Sequence, residues 1–215
     1  DNCKYKKDIK KIKKVREYLK KINGFKKVHL IKRKKNFGLA KNITTGINHV
    51  MKKHKKIIVL EDDIIVSENF LYFMNLCLNK FKKEKKLWHI NGWNYGFSFP
   101  NSNYNTFFWR GMICWGWATW KDRWKYYNKN PEFLMKNWDR KKINKFNLDN
   151  SVDFWSQVRR NYNKSINTWA IFWYSTIFHN KGICLSPITS LTQNIGNDKF
   201  STHQINKNLK KKINT

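Results

Sequence analysis

Between residues 4 and 22, Ile9, Ile12, Val15, Tyr18 and Leu19 recur at helical spacing with lysines between them. Apolar positions three and four apart share one face of a 3.6-residue period, so the pattern predicts an amphipathic helix that Asn23-Gly24 ends. Residues 28–31 (VHLI) read as a short strand. Asn36-Phe37-Gly38-Leu39 reads as a turn into a second helix over 40–54, with Ile43, Ile47, Val50 and Met51 on its apolar face. Residues 57–60 (IIVL) are apolar without alternation and stop abruptly at Glu61-Asp62-Asp63. A run of this kind suits a strand covered on both faces, and it predicts the central strand of a parallel sheet. Ser67 is placed to cap a third helix over 68–81. Trp88-His89-Ile90 form another short strand leading into Asn91-Gly92-Trp93-Asn94.

The second half is less regular. Residues 107–124 (FFWRGMICWGWATWKDRW) are aromatic and punctuated by glycine, and 131–163 read as a polar helical stretch. Residues 167–179 form an apolar, Trp-rich helix, 182–186 a strand, and 193–204 a loop rich in Asn, Gly and Asp. Helices alternating with strands predict an α/β layer sandwich, with the acidic triplet at the carboxyl end of its core strand, where open α/β sheets place their ligands. With no repeat and no linker, one domain is expected over 1–204, followed by a basic tail over 205–215.

Composition changes this picture in one respect. A content of 16% aromatics with 11 Trp argues for a real core, but 45 Lys and Arg against 14 Asp and Glu give a net charge of +31. Such a charge attracts nucleic acid, anionic lipid or an acidic glycan, and it is equally the mark of a lysine-rich composition spread over ordinary helix faces. The lysines do not alternate with aromatic residues as a single-strand groove requires, and no nucleic-acid motif is present, so no nucleic-acid partner is expected. The four cysteines, Cys3, Cys77, Cys114 and Cys184, form no CxxC pair. Reduced thiols in a cytoplasmic protein, peripheral on the membrane if attached to one, are the expectation. No apolar run approaches the ~18 residues of a membrane span, and no signal peptide is seen. The first residue is not Met, which suggests a piece of a longer protein.

Three adjacent carboxylates at a strand end repel one another. A hard divalent cation, Mn²⁺ or Mg²⁺, relieves that repulsion and prefers carboxylate and phosphate oxygens. The competing explanation is a pair of acids stabilising the dipole of the following helix.

The run IIVLEDDIIVSENFLYFM resembles the strand, acidic motif and helix of the N-acetylglucosaminyltransferase I family and its bacterial relatives in surface-polysaccharide clusters. Three further blocks are similar in the same order: residues 87–94 (LWHINGWN), 109–124 with CWGWATWKDRW, and 189–204 (TSLTQNIGNDKFSTHQ). The resemblance implies a GT-A-like, Rossmann-related mixed sheet flanked by helices, and a metal-dependent, inverting transfer of a hexosyl or N-acetylhexosaminyl group. The donor would be a nucleotide-diphosphate sugar, usually of uridine, and the acceptor a glycan or a lipid-linked glycan. It implies that Asp63 binds the metal, that Glu61 and Asp62 face the donor's sugar and ribose, and that Asn91 and Trp93 line the pocket, although Trp93 equally suits the core. Ser201, Thr202 and His203 would close over the diphosphate, with His203 a ligand of the metal or of the phosphate. Trp115 and Trp117, flanking Gly116, are the candidates for stacking on the acceptor.

Two departures matter. Inversion needs a general base at the acceptor hydroxyl, and the family's Asp after a Trp is replaced here by Trp169-Ala170. Asp153 is the substitute of choice and Asp149 a weaker one, against the plain alternative that Asp153 caps the helix after it. Asp122 is expected to pair with Arg123 or Lys125. The family's first strand and helix have no counterpart before Cys3, so the base-binding half is expected to be missing. A rival to the enzyme is therefore a degraded fold that binds sugar or nucleotide without turnover.

Overall fold

A computed structural model describes residues 1–100 and 103–196. They gather into two compact units, Asp1–Gly46 and the remainder from Ile47.

In the first unit, α1 (Ile9–Leu19) follows a short 3₁₀ turn and buries none of its residues. The expected strand at 28–31 does not form. The segment is held by polar contacts instead. The Asp1 carboxylate accepts from the backbone N–H of Phe37 and of Gly38, each at 3.0 Å, and Arg16 donates to the Arg33 carbonyl at 3.0 Å. Helix α2 (Leu39–Lys53) begins here, one residue before its predicted start.

The second unit is an α/β fold, a five-stranded mixed sheet flanked by helices, consistent with a GT-A-like glycosyltransferase. Its strands are β1 (Lys56–Val59), β3 (Leu87–Asn91), β4 (Thr106–Trp109), β5 (Trp117–Trp120) and β6 (Ile183–Pro187), in the order β1-β5-β3-β6-β4. Only the β3–β6 pairing is parallel; β1–β5, β3–β5 and β4–β6 are antiparallel. The expectation of a central, parallel strand at 57–60 is therefore corrected. Among the described residues β1 is an outer strand, antiparallel to β5, and of its apolar run only Val59 is buried, with Ile57 and Ile58 half-buried and Leu60 exposed. A two-stranded ribbon, β2 (Ile64–Val66) with β7 (Thr192–Asn194), stands beside the sheet. Gln193 and Asn194, expected as loop, are thus part of a strand.

One face of the sheet is covered by α3 (Phe70–Lys80), whose Phe70, Met74 and Leu78 pack on Leu87, Ile90, Ala118 and Trp120. Full burial of each such side chain contributes about 1.5–3 kcal/mol. Ser67 does not cap this helix. Its carbonyl accepts from Phe70 N at 3.1 Å, while its buried hydroxyl has no partner among the described residues.

On the other face α4 (Lys121–Trp124) sets Trp124 against Trp117 and α8 (Ala170–His179) sets Trp173 against His89, while α5 (Pro131–Asn137), α6 (Arg140–Phe146) and α7 (Trp155–Tyr162) form a cluster with α8. Seven of the ten residues of α8 are buried, so it is an interior helix rather than an amphipathic one. The polar stretch 131–163 is not one helix. Asn130 and Asp139 each accept from a backbone N–H three residues on, starting α5 and α6 afresh. Leu148, Asp149 and Asn150, all at positive φ, turn the chain before α7.

Candidate functional site

The acidic triplet follows β1 directly and folds back as a turn, in which Ile64 N donates to the Glu61 carbonyl at 3.2 Å. The β2–β7 ribbon then brings the 192–196 segment across it. Ile195 N donates to the Asp63 carbonyl at 2.8 Å, and the Asn194 side-chain amide donates to the Asp63 carboxylate at 3.2 Å. Gly196 lies so close that a Cβ on it would stand 2.3 Å from Asp63 Oδ2. Asp62 is exposed, and Glu61 and Asp63 are half-buried.

Glu61 is the perturbed member. Burial, then the charges of Asp63 and Asp62, push its carboxyl up to about 7. Nothing cationic among the described residues pairs with the three acids; the ion pairs found lie elsewhere. Cys114 stands beside them. Its thiol is pushed up to about 12, by burial first and by Glu61 next, and so stays protonated at neutral pH.

The floor behind the triplet is a tight backbone crossing. Gly92 N donates to the Gly116 carbonyl at 2.7 Å, and Thr192 Oγ1 donates to the Trp115 carbonyl at 2.7 Å. A Cβ at Gly92 would meet the Gly116 oxygen at 2.6 Å, and Gly116 itself has φ +70°. Glycine is required on both sides of this contact.

Several residues read as pocket-lining lie in the interior. Asn91 is fully buried, and its amide is saturated: Oδ1 accepts from Ile113 N at 2.8 Å, and Nδ2 donates to the Gly111 carbonyl and to Ser186 Oγ. It anchors the 111–113 segment. Trp117 is fully buried, stacked between His89 at 5.0 Å and Trp169 at 5.4 Å. Trp93 is buried edge-on to Trp115 at 4.5 Å and to Tyr95 at 4.8 Å, and of these indoles only Trp115 is half-exposed. The structure therefore brings Glu61, Asp62, Asp63 and the Trp93–Trp115 pair to one end of the sheet and sends Asn91 and Trp117 into the core.

Asp153 sits ahead of α7. Its Oδ1 accepts from Ser156 N at 3.0 Å, and Arg159 approaches it at 3.7 Å. Asp149 is paired with Arg110 on the exposed surface. Asp122 pairs with Arg123 at 2.6 Å and with Lys85 at 2.7 Å, not with Lys125. Ser201, Thr202 and His203 lie outside the described residues.

No group of three or more His, Cys, Asp or Glu side chains among the described residues forms a metal cage. The triplet nonetheless fits a cation of a particular kind. Mg²⁺ and Mn²⁺ are commonly held by one or two carboxylates together with substrate phosphates, and the uncompensated acids offer hard oxygen donors.

Sequence reasoning missed Asn194, Gly196, Thr192 and Cys114. Nothing in the spacing of 192–196 marks it as a partner of residues 61–66, since the two segments meet only through ribbon pairing.

Residues 48–111 match the model of glycosyltransferase family 25, described as LPS biosynthesis protein. That stretch is similar to a glycosyltransferase. It runs from within α2 through β1, the acidic turn, α3 and β3 to Gly111. The match supports glycosyl transfer in general, with a link to surface-polysaccharide synthesis, and it does not extend to the N-acetylglucosaminyltransferase I family in particular. No curated protein matches the chain. Among the described residues no helix is long and apolar enough to cross a membrane.

Proposed function

We propose that the chain is a metal-dependent, inverting glycosyltransferase that moves a sugar from a nucleotide-diphosphate donor, of uridine by preference, to a glycan or lipid-linked acceptor. The observation that carries this reading is the cluster Glu61-Asp62-Asp63. It is placed where β1 ends, closed over by Asn194 and Gly196, and left without a compensating cation among the described residues of a chain rich in lysine.

Asp63 would hold Mn²⁺ or Mg²⁺, with Glu61 and Asp62 beside it toward the donor's sugar and ribose. When bound, the ion supplies Lewis-acid neutralisation of the diphosphate as it leaves. Asn194 orients the Asp63 carboxylate by its hydrogen bond. Trp115, half-exposed against the buried Trp93, is the indole on which an acceptor sugar would stack. Asp153 is carried forward as the base that takes the acceptor hydroxyl's proton, and His203, with Ser201 and Thr202, as the donor-side closure.

One observation favours the rival reading, a fold that binds without turnover. Asp153 is engaged as a helix cap, and Trp169-Ala170 places no carboxylate at the start of α8. A thermal-shift screen of nucleotide sugars, with and without Mn²⁺, tests the proposal on the native chain and on Asp63→Ala. Metal-dependent stabilisation by one donor, lost in the variant, is the expected result. Stabilisation that ignores both metal and variant would contradict it. Donor binding without transfer to any acceptor would select the rival.

A further inference from the structure

At the opposite end of β1, on the order of 15 Å along the strand from the acids, lies a cavity of about 900 Å³ between β1, α3 and the β5–α4 corner. Its floor is apolar, formed by Ile57, Leu78 and the indole of Trp120. Its rim carries Lys55, Lys82, Lys83 and Lys121. Among the described residues no hydrogen bond or ion pair holds these four ammonium groups. Of the other polar groups of the rim, Lys56 donates to Asn79 at 2.6 Å, Asn75 donates to the Leu71 carbonyl at 2.8 Å, Asp122 is paired with Arg123 and Lys85, and Lys125 lies over the Tyr126 ring at 4.9 Å. Arg123 is itself buried, donating to the carbonyls of Lys82, Glu84 and Leu87. It thereby fixes the turn that presents Lys82 and Lys83.

Four unpaired cations around an apolar floor match a ligand that is anionic at one end and hydrocarbon at the other. A free phosphate would leave the floor wet, and a nucleic-acid backbone would not fill it. We propose that this groove binds an anionic phospholipid at a membrane surface, with the phosphate among the four lysines and acyl methylenes against Leu78 and Trp120. The attraction of the +31 chain for anionic lipid thus acquires a defined seat. The inference does not depend on the acidic site or on glycosyl transfer.

The test uses the whole chain in flotation with vesicles of phosphatidylcholine, alone or mixed with phosphatidylglycerol. Two variants of equal charge loss are compared. One carries Lys55→Ala, Lys82→Ala, Lys83→Ala and Lys121→Ala in the groove; the other carries Lys10→Ala, Lys11→Ala, Lys13→Ala and Lys14→Ala on α1. The groove variant is expected to lose affinity for the anionic vesicles by about a hundredfold or more, and the α1 variant by less than about tenfold. A second arm titrates monomeric dihexanoyl-phosphatidylglycerol against glycerol phosphate. Two buried methylenes already predict a preference of about tenfold for the lipid. Equal losses in the two variants would reduce the effect to diffuse charge, and equal affinity for lipid and glycerol phosphate would reduce the groove to an anion site. Either result overturns the proposal.

Discussion

The Asn194 side-chain amide donates to the Asp63 carboxylate at 3.2 Å across 131 positions of sequence. That bond is the only side-chain hydrogen bond to the acidic triplet found among the described residues, and it comes from the strand that closes the ribbon with β2. Replacing Asn194 with Ala removes an orienting contact that contributes about 0.5–1.5 kcal/mol. Mn²⁺-dependent donor binding, followed by calorimetry, is expected to weaken several-fold, with little change in melting temperature.

The crossing of Gly92 and Gly116 predicts a stability defect. In Gly92→Ala the new methyl would meet the Gly116 carbonyl at 2.6 Å and Phe70 at 2.9 Å. A backbone atom cannot swing aside as a side-chain tip can, so a loss of about 1–3 kcal/mol is expected in urea unfolding. Wild-type stability would show that the crossing is loose.

A buried histidine and the half-buried Glu61 pull the pH dependence in opposite directions. His89 is fully buried. Its Nδ1 accepts from the Trp173 indole N–H at 3.1 Å, so its proton is on Nε2, which donates to the Ile113 carbonyl at 3.0 Å. Burial lowers its pKa from 6.5 to about 3. Between those values the unfolded chain binds more protons, so this contribution to stability is present above 6.5 and lost as pH falls toward 3. Glu61 is raised from 4.5 to about 7. There the folded chain binds more protons, and its contribution is lost as pH rises from 4.5 to 7. In metal-free buffer the two slopes, each up to about 1.4 kcal/mol per pH unit, offset one another between 4.5 and 6.5. Glu61→Gln is therefore expected to show stability rising more steeply with pH in that window than the wild type, measured by urea unfolding. Parallel profiles would mean that Glu61 is not perturbed.

Capping and proton transfer at Asp153 can be separated. Asn caps a helix about as well as Asp, whereas Ala costs about 0.5–2 kcal/mol. Asp153→Asn is expected to keep stability and donor binding while losing transfer, and Asp153→Ala to lose stability as well. Full transfer by Asp153→Asn would remove it from the mechanism and leave it a cap.

Much of this was legible in the chain. The helical spacing at 40–54, the strand at 88–90 and the acidic turn after 57–60 appear within a residue or two of where the pattern places them, because the buried face of α2 imposes its period on the sequence and β3, buried at every residue, reads as a largely apolar segment between polar ones. The neighbours of β1 were not legible. An apolar run says nothing about edge partners, so an outer antiparallel strand looks like a central parallel one. The tryptophans failed for a related reason. Trp117 and Trp115 are identical in type and two positions apart, yet one stacks on His89 in the core and the other stands half-exposed beside Trp93. Asn91 misled in the same way, since a polar residue after a strand suggests a pocket unless its amide is saturated inside. Asn194 could not be found locally at all, because only ribbon pairing carries it to Asp63.

The most direct measurement is Mn²⁺ binding followed by electron paramagnetic resonance, in the presence and absence of uridine diphosphate, for the native chain and for Asp63→Asn. The account predicts weak binding of Mn²⁺ alone, tightening by at least about tenfold with the diphosphate as carboxylate and phosphate oxygens share the ion, and no such tightening in Asp63→Asn. Equal Mn²⁺ binding by the two proteins with the diphosphate present would contradict it.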